Sequence, residues 1–125
     1  MNVVDSSAWL EYFSDGPNAQ FFAKPIENTE ALIVPTLSLY EVYKRVLQQR
    51  GESDALQIVA VMQQGQLVDL DGPLALQAAR LSRAHGLPLA DSVMLATARA
   101  FDAVLWTQDA DFKDLPGVQF RAARR

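Results

Sequence analysis

The sequence predicts an α/β fold, with a mainly parallel central sheet of four to five strands covered by helices on both faces. Two observations predict it. Short apolar runs of strand length alternate along the chain with longer segments of helical periodicity, and that alternation builds βαβ units. Gly51, Gly65, Gly72 and Gly86 fall between the segments, where breakers belong.

Asn2–Val4 is the first strand, an apolar run that turns polar at Asp5-Ser6-Ser7. A helix follows over Ser7–Phe13, and another over roughly Asn18–Lys24, ahead of Pro25. Ala31–Val34 is the second strand. Leu37–Gln49 and Ser53–Gln64 are helices parted by Gly51. Gln66–Leu70 is the third strand, Pro73–Ala84 and Leu89–Ala100 are helices, and Ala103–Trp106 is the fourth strand. A fifth strand is expected at Val118–Phe120. In such sheets ligands bind beyond the carboxyl ends of the strands.

The 125 residues suit one domain, 1–125, and half of them are apolar, enough for a real core. There is no cysteine, which excludes disulfides, thiolate zinc sites and cysteine nucleophiles. The single histidine, His85, excludes a two-histidine acid–base mechanism within one subunit and reads as a solvated helix end. No apolar run approaches the roughly 18–20 residues that span a bilayer, and the start lacks a signal-peptide pattern. A soluble, cytoplasmic protein is expected.

Four acidic residues stand out unequally. Asp5 closes the first strand and reads equally as a helix cap or as a site residue. Asp109, three residues past Trp106, repeats that pattern. Asp91 falls on the helix face shared with Met94, Leu95 and Ala98. A carboxylate there is costly unless paired or bound to metal, so a functional role is favoured over a helix-dipole role. Glu41, by contrast, lies opposite the apolar arc of its helix, beside Lys44 and Arg45, and periodicity alone makes it a solvated glutamate.

Together these segments resemble a known family. Asp5-Ser6-Ser7-Ala8-Trp9-Leu10, Pro35-Thr36-Leu37-Ser38-Leu39-Tyr40-Glu41-Val42, Leu87-Pro88-Leu89-Ala90-Asp91-Ser92-Val93-Met94-Leu95-Ala96-Thr97-Ala98 and Trp106-Thr107-Gln108-Asp109-Ala110-Asp111-Phe112 are similar, in that order, to a PIN domain. At this length the similarity is to VapC toxins of bacterial type II toxin–antitoxin pairs. The resemblance implies a PIN-like three-layer α/β/α sandwich and a metal-dependent endoribonuclease. It implies that Asp5, Glu41, Asp91 and Asp109 hold Mg²⁺, with Mn²⁺ as a substitute. Asp111, Thr107 and Ser6 match positions that assist the site. It further implies a transfer or ribosomal RNA substrate, a cognate antitoxin and a homodimer. The dimer would form through the helix bearing Trp9 and Phe13, both expected to be exposed, and the helix bearing Leu39, Tyr40, Tyr43 and Leu47.

Hard oxygen ligands suit those ions, which lower the pKa of a water and neutralise charge developing on phosphate. The expected products are a 5′-phosphate and a 3′-hydroxyl. The net charge of −4 is unusual for a nucleic-acid binder. Set aside the four proposed ligands, however, and the remaining 11 acids balance the 11 bases. Lys44, Arg45 and the tail arginines Arg121, Arg124 and Arg125 could contact RNA backbone, although solvated surface charge is the simpler reading of each. A phospho-acceptor signalling domain would need a lysine past the last strand, and none follows Val118–Phe120. A phosphatase with a nucleophilic aspartate would need a second one two residues after Asp5, where Ser7 stands. A catalytically silent binding module is opposed by the intact acidic set.

Overall fold

The structure is a computed structural model that describes residues 1–124; Arg125, one of the three tail arginines, lies outside the described residues. Five strands form one parallel sheet: β1 (Asn2–Val4), β2 (Leu32–Pro35), β3 (Gln66–Val68), β4 (Val104–Thr107) and β5 (Val118–Phe120), in the order β3-β2-β1-β4-β5. Six helices connect them: α1 (Ser6–Phe13), α2 (Ala19–Glu27), α3 (Thr36–Arg50), α4 (Glu52–Met62), α5 (Gly72–His85) and α6 (Leu89–Ala100). No helix among the described residues is long and apolar enough to cross a membrane.

The period-two alternation of strand side chains sorts the core into two halves. Val3, Ile33 and Leu105 point to one face and pack with Leu74, Ala78 and Leu81 of α5 and Val93–Ala98 of α6. Val4, Leu32 and Val34 point to the other, against Ala8 and Trp9 of α1, Phe22 and Ile26 of α2, Val42 and Val46 of α3, and Ile58 and Met62 of α4. The result is the expected α/β/α sandwich, with two helices on one face and four on the other.

That imbalance corrects one expectation. Trp9 is fully buried and stacks on half-buried Phe13 at 5.7 Å between ring centroids. Four helices on one face supply more cover than periodicity in α1 alone could reveal. Tyr40 and Leu47 of α3 do remain exposed.

Other boundaries shift for local reasons. α2 runs through Pro25 to Glu27 because Pro25 and Ile26 are buried, which outweighs the lost backbone donor. Ala31 belongs to a 3₁₀ turn, Thr29–Ala31, rather than to β2. β3 stops at Val68, and Asp71 caps α5 by accepting from the Leu74 backbone at 2.9 Å. Gly65 enters β3 where a Cβ would lie 2.9 Å from the Leu32 carbonyl oxygen, so no larger residue fits without backbone movement. Trp106, bulky for its place on β4, is accommodated by donating from Nε1 to Asn2 Oδ1 at 2.8 Å and packing on Phe21.

Candidate metal centre

Strand register brings the acidic residues together. Val4 pairs with Trp106 across β1 and β4, so the residues that follow, Asp5 and Thr107, leave the sheet side by side. The Asp5 N–H donates to the Trp106 carbonyl at 3.0 Å and fixes that exit.

Asp5 is both cap and site residue. Its Oδ1 accepts from the Ser6 backbone at 2.8 Å, while Oδ2 accepts from Ser7 Oγ at 3.1 Å and from Thr107 Oγ1 at 3.0 Å. Thr107 Oγ1 in turn accepts from the Asp109 N–H at 2.9 Å, which holds the turn that returns Asp109 towards Asp5. Asp109 caps the following 3₁₀ turn, Ala110–Phe112, by accepting from the Asp111 N–H at 2.9 Å. Asp91 arrives from the first turn of α6, packed against the sheet by Met94, Leu95 and Ala98. Carboxylate oxygens of Asp5, Asp91 and Asp109 all lie within 4.8 Å of one another.

Glu41 stands outside this group of three. It is half-buried on α3, and Ser6 Oγ donates to its Oε1 at 2.7 Å. Glu41 therefore faces the end of β1, while Lys44, Arg45 and Gln48 of the same arc are exposed; periodicity within one helix cannot carry such a relation between elements. Asp111 is exposed, and it bears on the centre through its charge.

The electrostatics are one-sided. Burial pushes the Asp5 carboxyl above its usual range; hydrogen bonds from Thr107, Ser7 and the Ser6 backbone pull it back, and the Asp109 charge raises it again. Asp91 is pushed up to about 7, first by burial, then by the charges of Asp5 and Asp109, by a hydrogen bond with Asp109, and by Asp111. Among the described residues no cation offsets these effects at either carboxyl. Three carboxylates gathered with no compensating lysine or arginine among the described residues form an all-oxygen donor set, which fits a hard divalent cation. Asp5, Asp91 and Asp109 would hold it, with Glu41 reached through Ser6.

Beside the centre runs a groove of about 330 Å³, lined by Ser7, Leu10, Glu11, Phe13, Arg45, Val46, Arg50, Ile58 and Gln108 among others. Lys44 is exposed and lies over the Tyr40 ring. Exposed Arg121 stacks on Phe21 at 4.3 Å, and its N–H donates to the Thr107 carbonyl at 3.1 Å. Arg124 is exposed. The sequence reading missed Ser7, although a hydroxyl two residues after a capping aspartate is placed to reach back. It also missed Asn18, which is buried with no sequence signal to single it out.

A family model for the PIN domain matches residues 3–118. Comparison with curated proteins found no match. Among solved structures, the chain is similar to a toxin–antitoxin complex from Klebsiella pneumoniae, at TM-score 0.79 and 20% identity over 95% of this chain and 96% of that one. It is similar to VapC20 of Mycobacterium tuberculosis, a toxin that cleaves the sarcin–ricin loop, at TM-score 0.78 and 16% identity over 97% and 99%. DNA-bound VapBC from Salmonella typhimurium superposes at TM-score 0.71 and 16% identity over 97% and 96%. At these identities the likeness is one of fold.

Proposed function

Because this chain belongs to the PIN domain family, we propose that it is a Mg²⁺- or Mn²⁺-dependent endoribonuclease, the toxin of a toxin–antitoxin pair. The observation that carries this reading is the trio Asp5, Asp91 and Asp109, converging within 4.8 Å at the carboxyl ends of β1 and β4 with Asp91 raised to about 7. Perturbed carboxylates clustered at a strand edge mark functional sites. Nothing else in the chain offers a set for phosphodiester hydrolysis.

In this reading Asp5, Asp91 and Asp109 would hold the ion, which when bound would supply Lewis acidity at a phosphoryl oxygen and lower the pKa of a water. The chain's own residues prepare the place. Thr107 and Ser7 hold one oxygen of Asp5, and the Ser6 N–H holds the other. Ser6 Oγ holds Glu41 beside the end of β1. Asp111 adds negative charge behind Asp109. The substrate is a transfer or ribosomal RNA, a choice supported by the sarcin–ricin loop activity of the similar fold. Toxin–antitoxin complexes among the similar structures support a protein antitoxin as partner. We place the protein in the cytoplasm, as a homodimer.

The test is RNA cleavage by purified protein in Mn²⁺. Asp5→Asn and Asp91→Asn should each lower the rate by at least about 100-fold while leaving the fold intact by circular dichroism. Either variant cutting at the wild-type rate would remove the assignment.

A further inference from the structure

Gln108 sits between Thr107 and Asp109, the two residues that carry β4 into the carboxylate centre, and its side chain lines the adjoining groove. A part-buried hydrogen-bond chain through a buried asparagine fixes which end of its amide faces outward. Asn18 is 1% exposed, and its Nδ2 donates to the Ala122 carbonyl at 2.9 Å. A backbone carbonyl can only accept, so the nitrogen of Asn18 must point that way. Turning the Asn18 amide would set its oxygen against the Ala122 oxygen. The same Nδ2 also donates to Gln108 Oε1 at 3.1 Å. The Gln108 oxygen is thereby held inward, and its amino group is left as the outward end. Among the described residues that nitrogen is neither buried without a partner nor engaged in a side-chain hydrogen bond.

Asn18 tolerates a cost for this arrangement: its own Oδ1 is buried with no partner among the described residues. An unsatisfied buried acceptor persists only where the surroundings over-determine it. Here they do. Glu11 Oε2 accepts from the Asn18 N–H at 2.7 Å and ties the α1–α2 corner to the groove wall. The α1–α2 corner, the exit of β4 and the tail at Ala122 thus meet at one asparagine.

We propose that Gln108 is a specificity residue, whose outward N–H reads a keto oxygen on a nucleobase beside the scissile phosphodiester, with Asn18 as the positioning residue that sets its direction. This rests on the ribonuclease reading above. Leu10, Phe13, Val46 and Ile58 give the groove apolar walls that suit the flat face of a base, while Arg45 and Arg50, which outnumber Glu11 on the same lining, suit the phosphate that carries it. Sequence-selective RNA binding commonly splays out single bases and reads their edges by hydrogen bonds. Guanine and uracil present a carbonyl acceptor where adenine and cytosine present an amino donor. Held at that exocyclic position, away from the ring nitrogens and the pyrimidine C2 carbonyl, a donor-only contact separates the two pairs. One such contact, set against an unpaired donor when the wrong base is present, discriminates by about tenfold.

The experiment uses a pool of RNAs with randomised bases. One portion is cut by the wild-type protein in Mn²⁺ and its new 5′ ends are sequenced. Another is bound without cutting to the Asp91→Asn protein, and the retained RNAs are sequenced. The expected result is about tenfold enrichment of guanine and uracil over adenine and cytosine at one position flanking the cut. The bound pool should show the same bias. Gln108→Leu should bring that ratio to within about twofold in both assays. Asn18→Asp removes the one donor among the described residues that holds the Gln108 oxygen, so the amide turns and the preference should reverse towards adenine and cytosine. A role limited to stability would not reverse it. Should Asn18→Asp fail to fold, Gln108→Leu decides alone. Cutting whose base preference survives Gln108→Leu, or that never favours keto bases, overturns this inference and leaves the ribonuclease reading standing. Selective, Gln108-dependent binding without any cutting would do the reverse.

Discussion

Asp91 is the residue whose ionisation the fold changes most plainly. Its carboxyl titrates at about 7 in the folded chain, against an ordinary 3.8. Between those values the folded state holds a proton that the unfolded state has released. Stability contributed by the protonated form is therefore complete below about pH 4 and is lost as pH rises towards 7. Asp5 is shifted in the same direction by its burial. In chelator, the wild-type protein should melt higher at pH 5.5 than at pH 7.5. Asp91→Asn should flatten that slope and raise the neutral-pH melting temperature by a few degrees, a gain moderated because the carboxyl is half exposed to screening solvent. Saturating Mn²⁺ should raise the wild-type melting temperature by mass action and leave the variant nearly unmoved. A thermal series on both proteins, with chelator and with Mn²⁺, checks this. Equal Mn²⁺ gains in the two would show that Asp91 is no ligand and only a helix-terminal acid.

At the scale of the element, strands and helices were readable because each carries its own period, and Gly65, Gly72 and Gly86 punctuate them. The buried face of α6 was readable too, so Asp91 stood out as a carboxylate where apolar residues belong. What one element could not reveal is what another lays over it. Trp9 looks like exposed surface until four helices share one face of the sheet. Glu41 looks solvated until α1 places Ser6 against it. Asp5 offered a choice between cap and site that the structure dissolves, since its two oxygens serve both. Pro25 stopped α2 on paper, and burial carried the helix past it. The dimer expectation now rests on α3, where Tyr40 is 56% and Leu47 41% exposed. Light scattering at high micromolar concentration should return twice the mass of the chain, and Leu47→Glu should shift it towards the single mass. A monomer at that concentration would end the proposal.

For the whole molecule, the order β3-β2-β1-β4-β5 puts the first strand in the middle of the sheet. β1 finds one neighbour in β2, but its other neighbour is β4. The hydrogen bond from Thr107 to Asp5 spans 102 positions in sequence, and contacts of that separation form late and slowly. A fragment of residues 1–100 would leave β1 as an edge, with the core around Val3 missing Leu105 and Phe112. It should exchange its amide hydrogens almost freely, where the full chain protects β1. Strong protection of β1 in that fragment would refute this dependence. The same topology sets a clock during synthesis. Chains emerge from the ribosome at roughly 5–20 residues per second, and until β4 has emerged Asp5 has neither Thr107 to hold it nor Asp109 to face. On the ribonuclease reading, each nascent polypeptide is thus inert towards RNA until that strand has left the machine that makes it.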